Sequence, residues 1–227
     1  MPHSRKTWKR NPSFDKLTLR INNRLVLREQ FIGRNPTHFI ASPIVKAFII
    51  SELFLWSSWY AIIPIFGVFV VKDVPGGNIE LAASGYSVYL VSRVIFELVC
   101  GKTFSNSSEH KKLYVSIFGL ILAGLGTLAF ALTKSLALIF IAFGIIGLGI
   151  GIASPVKNSL FSTHLDKNKE TTEWGIYDAV VYICIALSTA LGGFIAAGYG
   201  FQIFFVIAGI WMLLGVLPYL LYLKRNN

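Results

Sequence analysis

The sequence predicts an all-α integral membrane protein of six transmembrane helices with both termini in the cytoplasm. Three observations carry that expectation. The 227-residue chain is 54% hydrophobic and only 14% charged, with a mean hydropathy of +0.63, whereas soluble domains carry about 25% charged residues. Its apolar residues gather into long runs nearly free of charge between residues 48 and 223, a bilayer signature. Its basic residues fall almost entirely on one side of those runs, which the positive-inside rule makes the cytoplasmic side.

The spans lie near residues 48–71, 80–101, 113–133, 135–156, 175–197 and 202–223. Each has about twenty residues, enough to cross ~30 Å of hydrocarbon at about 1.5 Å per residue. Lys134 alone breaks the apolar run between the third and fourth, and Gly198 to Phe201 separate the fifth from the sixth. Such short corners force antiparallel neighbours. Of the 21 Lys and Arg, only Lys72 and Lys134 fall in the outer loops, and Arg93 lies within a span. The bundle over 47–224 is thus preceded by a basic cytoplasmic extension over 1–46, in the plasma (inner) membrane.

No secretory signal peptide is seen, because some forty polar residues precede the first apolar run. The net charge of +10 is accounted for by cytoplasmic Lys and Arg beside anionic lipid, without nucleic acid as a partner. The tail reads two ways. Phe14, Leu17, Ile21, Leu25 and Ile32 make one face of an interfacial helix, and the same stretch fits a hairpin turning at Asn22 and Asn23. Cys100 and Cys184 lie inside apolar runs and read as small buried hydrophobes rather than a disulfide framework.

Charged residues inside a bilayer are costly and face a bundle interior or a watery cavity. Here they are Glu52, Arg93, Glu97, Lys157 and Asp178, all in the cytoplasmic half of their spans. Arg93 and Glu97 are four apart and share a helix face. Across helices, Glu52 with Arg93 and Lys157 with Asp178 are candidate pairings. Such groups either gate and couple, with a carboxylate exchanging protons, or lock helix to helix, or merely snorkel to the headgroups, as suits Lys157 and Asp178 close to the interface. Aromatic residues accompany them at helical spacing: Trp56, Trp59 and Tyr60 beside Glu52, Tyr86 and Tyr89 beside Arg93, and Tyr182 beside Asp178. Amphipathic faces of this kind suit a central cavity or an interfacial aromatic belt.

Small residues and prolines mark positions for close packing or bending. They are Pro64 in the first span, Gly101 at the end of the second, Gly144, Gly147, Gly149 and Gly151 before Pro155 in the fourth, and Gly192 and Gly193 in the fifth. No soluble enzyme motif is present: the four histidines lack metal-ligand spacing, and no phosphate-binding glycine loop or nucleophile elbow occurs. Neither a cofactor nor a metal is expected. Glu52 and Glu97 are the only conceivable carboxylate pair for an intramembrane hydrolase.

At three stretches the sequence resembles half of a major facilitator superfamily transporter, over residues 45–223. Gly101 and the Lys111, Lys112 pair match the family's signature loop after the second helix, with Ser105 and Ser108 where the loop has Asp and Gly. FGIIGLGIGIASP over 143–155 is similar to the family's glycine-rich fourth helix and its proline, without the Arg that often begins that motif. Residues 165–179 resemble its loop into a fifth helix, where Gly192 and Gly193 match the end of a Gly-Pro-x-x-Gly-Gly motif. The resemblance implies two inverted three-helix repeats, with a transport path between two such halves. A chain with one half, beginning in Met and ending in a basic tail, reads as complete. It is expected to form a homodimer whose cavity is lined by the first, second, fourth and fifth helices and which transports a small solute by alternating access. The substrate, whether sugar, organic anion or amphiphilic cation, is left open, as is proton coupling through Glu52, Glu97 or Asp178. A non-transporting accessory subunit and a lipid-handling protein with Arg93 at a lateral groove are the competing readings.

Overall fold

The chain divides into two units, residues 1–40 and residues 41–227, and the computed structural model describes residues 42–226. The 1–41 part of the basic extension, and with it the choice between helix and hairpin, lies outside the described residues. Every regular element described is a helix: α1 (Pro43–Asp73), α2 (Ile79–Phe104), α3 (Glu109–Ala131), α4 (Leu136–Thr163), α5 (Glu170–Tyr199), α6 (Phe201–Leu214) and α7 (Leu217–Asn226). The last two together form a sixth stretch long and apolar enough to cross a membrane.

Local chemistry sets the ends. Ser42 caps α1, its side chain accepting from the Val45 amide, and Pro43 opens the helix where a missing N–H costs nothing. Pro43 to Lys46 are therefore helical rather than part of the extension. Asn78 and Ser135 cap α2 and α4 in the same way. Gly200, at a φ of +89° open to glycine, turns α5 directly into α6.

The sixth span is broken, unlike the single helix expected over 202–223. Pro218 lacks an N–H and its ring collides with the carbonyl four residues earlier in a continuous helix. The chain accordingly leaves the helix after Leu214 and restarts at Leu217. Gly215 sits at the break, where a Cβ would lie 3.2 Å from both the Ser51 carbonyl and the Phe54 Cβ of α1.

The helices pack with an internal symmetry. α4 rests on α2 and α3, α1 on α5, α6 and α7, and α3 on α6. Exchanging α1 with α4, α2 with α5 and α3 with the sixth span turns the α1–α5 packing into α4–α2, and α3–α4 into α6–α1. The α3–α6 packing maps onto itself. Pro64 and Pro155 each lie about two-thirds along α1 and α4, the exchanged pair. The core between them is aromatic: Phe66, Phe130, Phe143 and Phe205 are all buried and in mutual ring contact through Phe130. Polar ties cross it sparingly, with the Ser58 hydroxyl donating to the Ala208 carbonyl at 2.7 Å and the Trp211 indole to the Ser57 hydroxyl at 2.9 Å.

Glycine spacing sets how closely α4 is held. Gly147 and Gly151, four apart, face α2: a Cβ on them would meet the Tyr89 carbonyl at 2.4 Å and the Arg93 carbonyl at 2.5 Å. Gly149, on the opposite side, meets the Gly119 carbonyl of α3 at 2.5 Å. The run thus wedges α4 between two backbones, as small residues do in membrane bundles. Gly101 makes only ordinary contact with Pro155, and Gly193 faces open space.

By contrast α2 and α5 rest chiefly on one neighbour each, and long apolar faces such as Val91, Leu98, Leu187 and Phe194 stay exposed. Gly147→Ala is expected to lower stability by about 1–3 kcal/mol, read as a lower melting temperature in detergent. Gly193→Ala should leave that temperature unchanged or raise it.

Candidate functional site between α1, α2, α4 and α5

Glu52 is the centre of the polar cluster. Two to three turns into α1, it is only 2% exposed, and a lone carboxylate there would be prohibitive. Lys157 of α4, 1% exposed, donates to Oε1. The Trp56 indole N–H donates to Oε2 at 2.7 Å and the Tyr177 hydroxyl to the same oxygen at 3.2 Å. Three donors from α1, α4 and α5 thus converge on one carboxylate, meeting the condition under which a buried pair is tolerated.

A second pair lies beside it on α2. Arg93 Nε donates to Glu97 Oε2 at 3.3 Å, and Arg93 Nη1 donates to the Tyr89 hydroxyl at 3.0 Å. Trp56 joins the two pairs: the Arg93 guanidinium lies 5.6 Å and the Lys157 ammonium 5.7 Å from its ring centroid, within cation–π range. Unlike the Glu52 pair, Arg93 and Glu97 are partly open.

The structure replaces both candidate pairings across helices. Glu52 does not meet Arg93, and Lys157 does not meet Asp178; Lys157 bonds Glu52 instead. The α1 and α4 helices bring Glu52 and Lys157 into contact in the core, while Arg93 is satisfied within its own helix by residues one turn either side. Two expected cavity residues prove to be packing. Trp59 is buried against Tyr89, with ring centroids 4.5 Å apart, and edge-on to Phe143. Tyr89 is likewise buried and presents only its hydroxyl to Arg93. Both back the site without lining it.

The lining falls to other residues. A cavity of about 200 Å³ opens between α1 and α5, walled by Trp56, Tyr60, Tyr177, Asp178, Val181, Tyr182 and Ile185. Asp178 and Tyr182 are exposed on α5. Tyr177 is the site residue that sequence reasoning missed. It follows from no motif, and only its place beside Asp178 on a helix with charged and aromatic neighbours hinted at it. A second cavity of about 320 Å³ between α1, α5 and α6 is almost wholly apolar; Cys184 and Gly192 lie along it, away from the charges. No group of ligands fit for a metal ion occurs among the described residues.

Six membrane-length helices in two pseudo-symmetric triplets define the class as a multi-pass helical membrane bundle. The family model described as Major Facilitator Superfamily matches residues 48–227, and the chain belongs to that superfamily. Among solved structures, a peptide transporter POT in complex with alafosfalin superposes with a TM-score of 0.71 at 20% identity, over 88% of this chain and 42% of that one. The POT family transporter PepTSo gives 0.62 at 18% identity, over 80% and 37%. An auto-inhibited POT family peptide transporter gives 0.65 at 19% identity, over 81% and 38%. At such identities the likeness establishes the fold alone, and the chain spans about two-fifths of the length of these transporters. No curated protein matches it.

Lys157→Met leaves the Glu52 charge buried without its ion partner and is expected to cost about 3–5 kcal/mol. Adding Glu52→Gln to Lys157→Met should restore most of that loss, as read by melting temperature in detergent. Equal stability of wild type and the Lys157→Met single variant would show that the pair is not a structural tie.

Proposed function

We propose that this chain is half of a membrane transporter that moves a small solute by alternating access, with the second half supplied by another copy. The observation that carries it is the placement of charge. Asp178 lies about two turns into α5 and Arg93 and Glu97 about two to three turns from the end of α2, and these side chains are wholly or partly exposed on the bundle. Charges within the hydrocarbon rarely face lipid, and Arg93 is the deepest of the three. A watery space enclosed by a second half removes the conflict, and the open apolar faces of α2 and α5 offer the surface on which it would seat. The distribution of Lys and Arg supports a basic end in the cytoplasm.

Proton coupling is part of the proposal, with Glu52 as the carrier. Protonating its carboxylate leaves Lys157 charged and without its counter-ion in the core, an arrangement that favours separation of α1 from α4. Loss of the proton favours their closing again. Proton exchange and helix movement are thereby tied to the same contact.

The test is uptake of a panel of labelled sugars, organic anions and amines into proteoliposomes, with and without a pH gradient. Glu52→Gln is expected to abolish stimulation by the gradient, and Arg93→Ala to reduce uptake about tenfold or more. Unchanged transport in both variants would remove these residues from the pathway. The mass in lipid nanodiscs should be twice the 25.2 kDa of one chain, and a monomer in several lipids would rule out the second copy as the partner half.

A further inference from the structure

We infer that the cavity at Asp178 binds the ammonium group of an organic cation. This rests on the reading of the face as a watery path, and it assigns the class of solute that the path admits. The first ground is a charge count. The polar cluster holds three carboxylates and two cations: Lys157 is committed to Glu52 and Arg93 to Glu97. Asp178 is left over, and its carboxylate makes no hydrogen bond or ion pair among the described residues. A second copy carries the same surplus, so dimerisation adds no counter-charge from this cluster. The cluster thus offers one unpaired carboxylate to a cation from outside.

The second ground is what surrounds that carboxylate. The walls are aromatic and aliphatic: Trp56, Tyr60, Tyr177 and Tyr182 with Val181 and Ile185. Tyr60 and Tyr182 are 43% and 65% exposed, so their rings are free to cover a guest. Electron-rich ring faces beside a carboxylate are the environment that favours an alkylated ammonium, whose charge is spread over carbon and weakly hydrated. An anionic guest would meet the Asp178 charge, and a neutral sugar would leave that charge without a counter-ion. The volume of about 200 Å³ suits an ammonium head, with the rest of the molecule extending into the space between the halves.

Equilibrium dialysis of radiolabelled choline against the full-length protein in nanodiscs tests this directly. Choline is expected to bind saturably, and its neutral carbon isostere 3,3-dimethylbutan-1-ol to compete at least about tenfold more weakly. Asp178→Asn should weaken choline binding about tenfold or more while leaving the melting temperature unchanged or raised, since an exposed charge is removed. Asp178→Glu should retain binding, and Asp73→Asn, at the far end of α1, should not alter it. Absence of choline binding, equal competition by the isostere, or binding indifferent to Asp178→Asn would each overturn the assignment. The two readings fail separately. Uptake of a neutral sugar by a protein that ignores choline refutes the cation and keeps transport; choline binding without uptake of any solute does the reverse.

Discussion

Taking a carboxylate and an ammonium out of water costs several kcal/mol for each ion, and the cost is recovered only where the geometry is good and every remaining hydrogen-bonding position is filled. The Glu52–Lys157 contact meets that demand with help from Trp56 and Tyr177. Three helices must therefore hold fixed positions for the pair to exist at all. α1 and α4 have to come close enough for Lys157 to reach the carboxylate, and α5 has to present the Tyr177 hydroxyl. The ring stack of Phe48 on Phe161, with centroids 4.3 Å apart, closes the same α1–α4 junction on its apolar side. A contact so dependent on three helices is also a sensitive point of control, because neutralising either ion removes the reason for the others to stay.

Around that contact the bundle divides into rigid and open parts. The glycines of α4 lock it to α2 and α3 backbone to backbone, and Gly209 and Gly124 do the same between α3 and α6, each accepting a Leu side chain from the other helix. At the basic end, Glu109 accepts from Tyr222 at 2.7 Å and lies 3.3 Å from the His164 ring, tying α3, α4 and α7 together. The remaining faces of α2 and α5 have no such neighbours. Two triplets related by exchange of α1 with α4 thus place their least covered helices on either side of the charged cluster. A half built this way is stable through α1, α3, α4 and α6 and available through α2 and α5.

Much of this was legible in the chain. Run length and basic-residue placement were enough for six spans, because hydrocarbon thickness dictates the one and hydropathy reveals it directly. The intramembrane charges were visible for the same reason. The Arg93–Glu97 pair was legible because residues four apart on a helix share a face whatever the tertiary packing. The partner of Lys157 was not, since it depends on how α1 and α4 sit against one another, which no spacing encodes. Trp56 and Trp59 illustrate the same limit: three residues apart, they share one side of the helix, yet the nearness of α2 and Phe143 buries Trp59 while Trp56 stays beside the charges. Tyr177 went unnoticed because its role is set by the α1–α5 packing. The break at Gly215 had a local signal in Pro218, overshadowed by the unbroken hydropathy around it.

Whether the charged face meets water or lipid is the point on which the functional reading turns. The most direct measurement is labelling by a charged, membrane-impermeant thiol reagent in liposomes, with Cys100 and Cys184 first replaced by Ala. Tyr60→Cys and Tyr182→Cys report on the face in question, and Phe118→Cys, exposed on α3, reports on a surface expected to face lipid. A watery path predicts rapid labelling of the first two and none of the third. Protection of all three alike would mean that the face is covered by lipid or by a tightly packed partner, and would contradict a solute pathway there.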